Sequence, residues 1–361
     1  MEGDTVLVAA GTYSPSTNSE VFPIEMDSGI NLIGSGKDIS IIDAQQTSRV
    51  ITMEECSNNI ISDLTITGGL ADSYGGGMRL HTSNPIIIHV TISNNTSNWG
   101  GGMHLSNSDA TMTHVTISNN QALQGGGMRV VSSDPVLTNV SISNNMASES
   151  GGMRLFNSNP ILTHVTISNN TAEYYGGGMW LDYSDPILTH VTISNNTAGN
   201  NGGGMVLSNS NPILTNSIIW GNSPESFYIY SGTPVITYSD IESDWEGEGN
   251  IDNDPLFNED YTLQAGSPCI NTGTIILGAE YCGEAPDLGA YEYITEDCYE
   301  CGAALADVTG DGQINILDLV QIVSLILEVS TPDYECAADY NGDGEVNILD
   351  LVQIVNYILN P

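Results

Sequence analysis

The sequence predicts an all-β, right-handed parallel β-helix, a solenoid of about ten coils, followed by a small α-helical calcium-loop domain. Two observations carry the first part and one the second. Between Gly75 and Asn222 one sentence is written six times: a GGGM corner, a short apolar run, S-[N/D]-P, ILTHVTISNN and a variable polar loop. Its Met residues fall at 78, 103, 128, 153, 179 and 205, so the period is 25 or 26 residues. Self-similarity at this length means stacked coils that bury their apolar side only against their neighbours. The apolar runs are short and rich in Val, Ile and Thr, and no helical period occurs before residue 300. After residue 302 the character changes to two polar twelve-residue loops, each followed by an apolar helix.

Taken in order, residues 5–70 read as three divergent coils, DTVLVAAGTY, GINLIGSGKDISIIDA and ITMEECSNNIISDLTITGG. In the regular repeats three strands per coil fit: Met-x-Leu, the run after Pro, and V-T-I. Met78 and Leu80 share parity and point inward, as do Val90 and Ile92. Gly75–Gly77 and their copies allow a tight corner. Asn94-Asn95, repeated at 119, 144, 169 and 195, would stack into an amide ladder. Pro85, Pro135, Pro160, Pro186 and Pro212 open a strand, where a missing N–H is tolerated. The β-helix is placed at 1–249, a closing cap at 250–296 and the calcium module at 302–361. A cap is expected because an uncovered solenoid end is an open edge.

Composition narrows the function classes. Five basic residues against 44 acidic ones give a formal charge of −39. Such a surface repels phosphate backbones, which argues against a nucleic-acid partner, and suits divalent-rich surroundings outside the cell. No apolar run is long enough to span a bilayer. The opening MEGDTVLVAAGTY shows no basic and apolar leader, and Thr5–Ala10 already reads as strand, so a leader is expected to have been lost. Six Cys are sparse and the late ones lack a His companion, so disulfides among Cys269, Cys282, Cys298, Cys301 and Cys336 are expected, with Cys56 a buried thiol.

DVTGDGQINILD and DYNGDGEVNILD supply oxygen ligands at the spacing Ca²⁺ requires around a turning Gly. The ligands would be Asp307, Thr309, Asp311, the Gln313 carbonyl and Asp318, then Asp339, Asn341, Asp343, the Glu345 carbonyl and Asp350, giving two Ca²⁺ sites. With ILDLVQIVSLIL and ILDLVQIVNYIL as near-duplicate helices, the module resembles a dockerin, the calcium-folded plug that binds cohesin receptors. Thr309 departs from the usual Asn or Asp, which would weaken the first site. The helices are apolar nearly all round, so 316–328 and 348–359 need a cover: a cohesin-like receptor or the chain's own β-helix.

On the β-helix one outward position per coil reads Arg79, His104, Arg129, Arg154, Trp180 and Val206, flanked by Tyr74, Trp99 and Tyr175 just before the Gly corner. At coil spacing this is a strip on the order of 25 Å. Guanidinium groups for carboxylate or sulfate, with aromatic faces for sugar rings, suit an acidic polysaccharide. The alternative is that the Arg side chains pair with carboxylates such as Glu149 or Asp182 and relieve repulsion. A second column, Asp63, His89, His114, Asn139, His164, His190 and Asn216, reads as a corner ladder of hydrogen-bonding side chains, because Asn substitutes freely for His.

NIDNDPLF, YTLQAGSPCINTG and DLGAYEY in 250–293 resemble the end segment of secreted bacterial β-helix proteins of the choice-of-anchor Q type. The whole solenoid resembles the pectin-lyase-like group, whose members include polysaccharide lyases, hydrolases and epimerases. Fold alone licenses no activity. No acidic cluster beside Arg129 or Arg154 stands out, and near-identical coils lack the asymmetry a catalytic site needs. The expectation is a secreted calcium-binding β-helix protein presenting a glycan-binding or adhesive surface, attached to a partner by its dockerin-like module. The alternatives are a polysaccharide lyase or hydrolase carried by the same plug, and a purely structural surface rod.

Overall fold

The structure, a computed structural model, describes residues 4–276, 281–294, 306–309, 314–327, 338, 346 and 348–359. The first unit comprises residues 1–274 with 285–293, and the second comprises 275–284 with 294–361. The first is a parallel β-helix. Every ladder between its named strands is parallel, and each strand pairs with its equivalent one coil on, as Met78↔Met103 and Ile92↔Ile117 do.

Four rows of strands in three sheets make the walls. A nine-stranded sheet holds the Met-x-Leu strands from Ile24–Met26 to Phe227–Ile229. An 18-stranded sheet holds both the run after Pro and the V-T-I run, such as Ile86–Ile88 and Thr91–Ser93. The third sheet, a fourth strand in the coil, was not expected. The variable polar stretch after Asn-Asn, read from the sequence as loop, is a six-stranded sheet running from Leu70–Tyr74 through Thr96–Trp99 to Thr197–Ala198. Its residues are too mixed to show a period of two, and stacking on the neighbouring coils makes the strand in their place.

Inside, Met78, Leu80, Ile87, Val90 and Ile92 and their copies are fully buried, each contributing about 1.5–3 kcal/mol over the exposed side chain. The amide ladder belongs to the second Asn of each pair. Asn95, Asn120, Asn145, Asn170 and Asn196 each donate from Nδ2 to the Oδ1 of the next at 3.0 Å. The first Asn of each pair takes the left-handed backbone, at φ 57° for Asn94 and 55° for Asn119. A serine ladder runs parallel at the S-[N/D]-P corner, where Ser83, Ser108 and Ser133 each donate N–H to the next Oγ at 2.8–3.1 Å. The GGG corner divides its labour: Gly75 has φ 59°, while a Cβ on Gly76 would lie 2.5 Å from the Thr96 carbonyl.

Residues 251–274 extend the last coil, and 285–293 run along its flank. Asp240 bridges to Ile251, and Leu263, Cys269 and Leu288 cluster with Ile218. The Ala290 N–H reaches Thr192 Oγ1 at 2.9 Å and the Gly289 N–H reaches the Asn216 carbonyl at 2.9 Å. Cys56 is the expected buried thiol. Cys269 departs from expectation: it is a free, buried thiol whose Sγ donates to Asp240 Oδ2 at 3.2 Å, because the flank packing holds it there. Cys282 is disulfide-bonded, and Cys298, Cys301 and Cys336 lie outside the described residues.

In the second unit, helix α1 spans Ile316–Ile326 and helix α2 spans Ile348–Leu359. Asn315 caps α1 by accepting from the Leu317 N–H, and Asp318 at the third position accepts from the Asn315 N–H, a capping box. Leu319 and Ile322 of α1 meet Ile354 of α2 in a small core with Ala306, Val308 and Ala338.

Candidate functional site

The floor of the cleft is the column read from the sequence. Arg79, His104, Arg129, Arg154, Trp180 and Val206 pair in register along the nine-stranded sheet. The wall is the unexpected third sheet, whose last residues Tyr74, Trp99, Gln124, Glu149 and Tyr175 also stack in register. Only a three-residue corner, Gly-Gly-Gly or Ser150-Gly151-Gly152, separates wall strand from floor strand, so wall side chains come to lie against the floor, Tyr74 on His104 and Tyr175 on Trp180. That is why the outward column is not open surface: His104 is 4% exposed, Arg154 9% and Val206 fully buried. Tyr74 stacks on Trp99 at 4.9 Å between ring centres and lies 4.6 Å from the His104 ring, and Tyr175 meets Trp180 edge-on at 5.8 Å.

The cations divide into paired and incompletely paired. Arg79 forms an ion pair with Glu54. Arg154 reaches Asp182 at 3.5 Å and lies 3.8 Å over the Trp180 ring. Arg129 makes no ion pair among the described residues. The sequence reading missed Arg49, whose Nε donates to the Tyr74 and Gly75 carbonyls at 3.0 and 2.8 Å and whose Nη1 reaches Thr52 at 3.2 Å. All four arginines of the chain therefore gather along this cleft. The missed signal was position: Arg49 precedes its strand rather than sitting in the repeat.

On four successive coils a buried nitrogen has no hydrogen-bond partner among the described residues: His104 Nδ1, Arg129 Nε, Arg154 Nη1 and Trp180 Nε1. Burial, then the Arg129, Arg79 and Arg49 guanidiniums, hold His104 down to about 3, so it is neutral at physiological pH. Burial lowers Arg154 to about 10, partly offset by Asp182 and Glu149, and it stays charged at neutral pH. The floor is thus a row of N–H donors and fixed positive charge in a chain of net charge −39.

The His column is a corner, as expected, but its chemistry differs from a hydrogen-bonded ladder. All seven positions from Asp63 to Asn216 have φ between 51° and 56°, a region that Asn, Asp and His tolerate best among residues with a Cβ. Between the ends the imidazoles stack, His89 on His114 at 5.0 Å and His164 on His190 at 4.9 Å. At the ends His89 Nδ1 lies 3.4 Å from Asp63 Oδ1 and Asn216 Nδ2 reaches His190 Nε2 at 3.2 Å.

In the second unit Asp307, Thr309 and Asp318 converge. Thr309 Oγ1 lies 2.9 Å from Asp318 Oδ1 and 3.2 Å from Asp307 Oδ1, and its N–H donates to Asp318 Oδ1 at 3.1 Å. Asp307, Asp318 and Asp350 are buried. The chain has no Lys or Arg after Arg154, so these carboxylates have no side-chain ammonium or guanidinium within their unit to balance them. Hard-oxygen donors gathered this way fit Ca²⁺. Asp311, Gln313, Asp339, Asn341, Asp343 and Glu345 lie outside the described residues. Ile316, Leu317 and Val320 on α1 and Ile348 and Val352 on α2 are exposed.

Two family patterns match the chain. The one described as a right-handed β-helix region matches residues 18–186 and 163–245, and the one described as a dockerin type I domain matches residues 305–359. No curated protein matches. Among solved structures the chain is similar to a pectate lyase, at 15% identity and TM-score 0.46, over 80% of this chain and 87% of that one. It is also similar to the A-module of a mannuronan C-5 epimerase from Azotobacter vinelandii, at 16% identity and TM-score 0.40, over 69% of this chain and 81% of that one. No described helix is long and apolar enough to cross a membrane. Dockerin type I domains bind calcium and pair with cohesins. The coils, their ladders and the matched patterns lead to one conclusion: the chain belongs to the right-handed β-helix family and carries a type I dockerin domain.

Proposed function

We propose that this protein is an extracellular calcium-binding β-helix that holds an acidic polysaccharide along its Arg-lined cleft and is fastened to a cohesin-like receptor by its dockerin domain. The observation that carries the reading is the run of partnerless buried nitrogens at His104, Arg129, Arg154 and Trp180. Leaving a buried donor unsatisfied costs about 1–3 kcal/mol, so a row of them is receptive to acceptor oxygens. Arg129 and Arg154 would take carboxylate or sulfate groups, with Arg79 turning from Glu54 to a third. Tyr74, Trp99, Tyr175 and Trp180 would pack against sugar rings, and neutral His104 would accept or donate to a hydroxyl. The β-helix spans 1–249, its closing segment 250–296 and the calcium module 302–361.

Calcium would be held by Asp307, Thr309, Asp311, the Gln313 carbonyl and Asp318, and by Asp339, Asn341, Asp343, the Glu345 carbonyl and Asp350. When bound it supplies the positive charge that the module's own side chains lack. Asp318 links that site to α1, because the same carboxylate caps the helix. The exposed Ile316, Leu317, Val320, Ile348 and Val352 would then meet the receptor.

A panel assay in calcium tests the reading: retention on pectate, alginate, glycosaminoglycans, xylan and cellulose, with release of unsaturated or reducing ends followed in parallel. Retention on an acidic polymer without new ends supports a binding cleft. New ends would make the protein a lyase or hydrolase. Retention that survives Arg129→Ala and Arg154→Ala together would remove the cleft from the account and leave a stiff rod.

A further inference from the structure

The stacked imidazole column is interrupted once. Asn139 stands between His114 and His164, and it shares their left-handed backbone, with φ 53° at both Asn139 and His114 and 52° at His164. The corner geometry therefore accepts either residue, and the backbone does not require the shorter side chain. With one coil skipped, the facing imidazoles lie about 9.6 Å apart, twice the spacing of neighbouring strands. The Asn139 side chain stands in that gap; it makes no hydrogen bond among the described residues, so it can swing aside, and the space it leaves suits a puckered saturated ring better than one flat ring.

The gap opens into a groove of about 400 Å³ lined by Lys37, His114, Asn139, Ser141, His164 and Tyr291 among others. Two excursions from the solenoid make its banks. One is the turn at Lys37, anchored where Thr65 Oγ1 donates to the Lys37 carbonyl at 2.6 Å. The other is the returning segment at Tyr291, anchored by the Ala290 N–H on Thr192. Lys37 is the chain's only lysine, and among the described residues it makes no ion pair. Among the described residues no carboxylate lines the groove, in a chain that carries 44. His164 Nδ1 lies 3.3 Å from the Ala290 carbonyl; a carbonyl only accepts, so Nδ1 carries the proton and neutral Nε2 presents a lone pair. Burial lowers the pKa of His164, which keeps it in that neutral form.

We infer that this groove is a second binding site, separate from the Arg cleft, for a single sugar acid: one pyranose ring seated between the faces of His114 and His164 with its carboxylate on Lys37. The His164 lone pair accepts a ring hydroxyl, and Ser141 and Tyr291 serve the remaining oxygens.

The test is a titration of the full chain carrying ¹³C-labelled histidine with galacturonic acid, with its methyl ester and galactose as uncharged controls. The His114 and His164 signals should move saturably with the acid, and about tenfold or more of its affinity should vanish with the ester. His104, in the Arg cleft, reports separately on any binding there. Asn139→His completes the stack with a residue the backbone already accepts on either side, so it should fill the gap without unfolding the coil and abolish the response at His164. Lys37→Met should bring the acid to the level of the ester. Absence of a saturable shift, equal shifts with galactose, or a response that survives Asn139→His would each overturn the proposal.

Discussion

Two columns of stacked polar side chains run up the same solenoid and end in opposite states. In the inner Asn ladder every amide is satisfied: Asn145 donates to Asn170 Oδ1 at 3.0 Å and to the Ile117 carbonyl at 2.9 Å, and its own Oδ1 accepts from Asn120. In the Arg cleft four successive coils each bury a nitrogen with no partner among the described residues. Both columns repeat at the coil spacing and both are largely removed from water. The ladder closes on itself because one side-chain type carries donor and acceptor together. The cleft cannot close, because Arg and Trp bring donors only and the acceptors nearby, Glu54 and Asp182, reach Arg79 and Arg154 alone. A self-complementary column is structure, and a one-sided column is receptive.

The largest effect that sharpens this contrast comes from the dockerin unit, where Asp307, Asp318 and Asp350 are buried in a stretch of chain without Lys or Arg. Chelating calcium should melt α1 and α2 while the β-helix persists, seen as a lost helical signal and loss of receptor binding with the β-sheet melting transition unchanged. Asp318→Ala should mimic this for α1, since it removes a ligand and the capping box together. Loss of the β-sheet transition on chelation would contradict it.

Next comes the ladder itself. Asn145→Ala removes the partner of the Asn120 backbone N–H and one partner each from Asn120 Nδ2, Asn170 Oδ1 and the Ile117 carbonyl, and should cost about 2–5 kcal/mol in chemical unfolding of the β-helix. Glycan retention should fall only in step with folded protein. Arg129→Ala should do the reverse: Arg129 makes no ion pair among the described residues, so the unfolding midpoint should move less than for Asn145→Ala, while retention on an acidic polymer drops about tenfold or more. If both variants lose stability alike, the distinction between closed and open columns fails.

The smallest effect is on pH. His104 is held to about 3 and His190 to about 4, the second by burial and then the neighbouring His164. The unfolded chain protonates these imidazoles near 6.5 and the folded one does not, so their contribution weakens stability as pH falls from about 6.5 toward 4. Asp240 has the opposite sign: burial raises it to about 6, so its contribution is present below the ordinary carboxylate range and is lost as pH rises through 6. His104→Gln should flatten the loss between pH 7 and 5 in denaturant titrations without weakening the Asn ladder. An unchanged slope would mean that His104 is protonated in the fold.

The sequence by itself determined the solenoid, because a repeat of 25 or 26 residues leaves no other way to bury Met78, Leu80, Val90 and Ile92. It determined the floor of the cleft, since equivalent positions in equal coils must stack, and the dockerin domain, whose loop pattern is local in the chain. Only the tertiary structure decided the rest. The third sheet forms from stretches with no pattern of their own, so it exists only once coils stack, and with it came the wall that turns an outward strip into a cleft. Arg49 joined that cleft, and Cys269 left the disulfide set, through contacts between residues tens of positions apart. The division follows a physical line: spacing along the chain specifies which side chains repeat, and packing across it decides which of them are left without a partner.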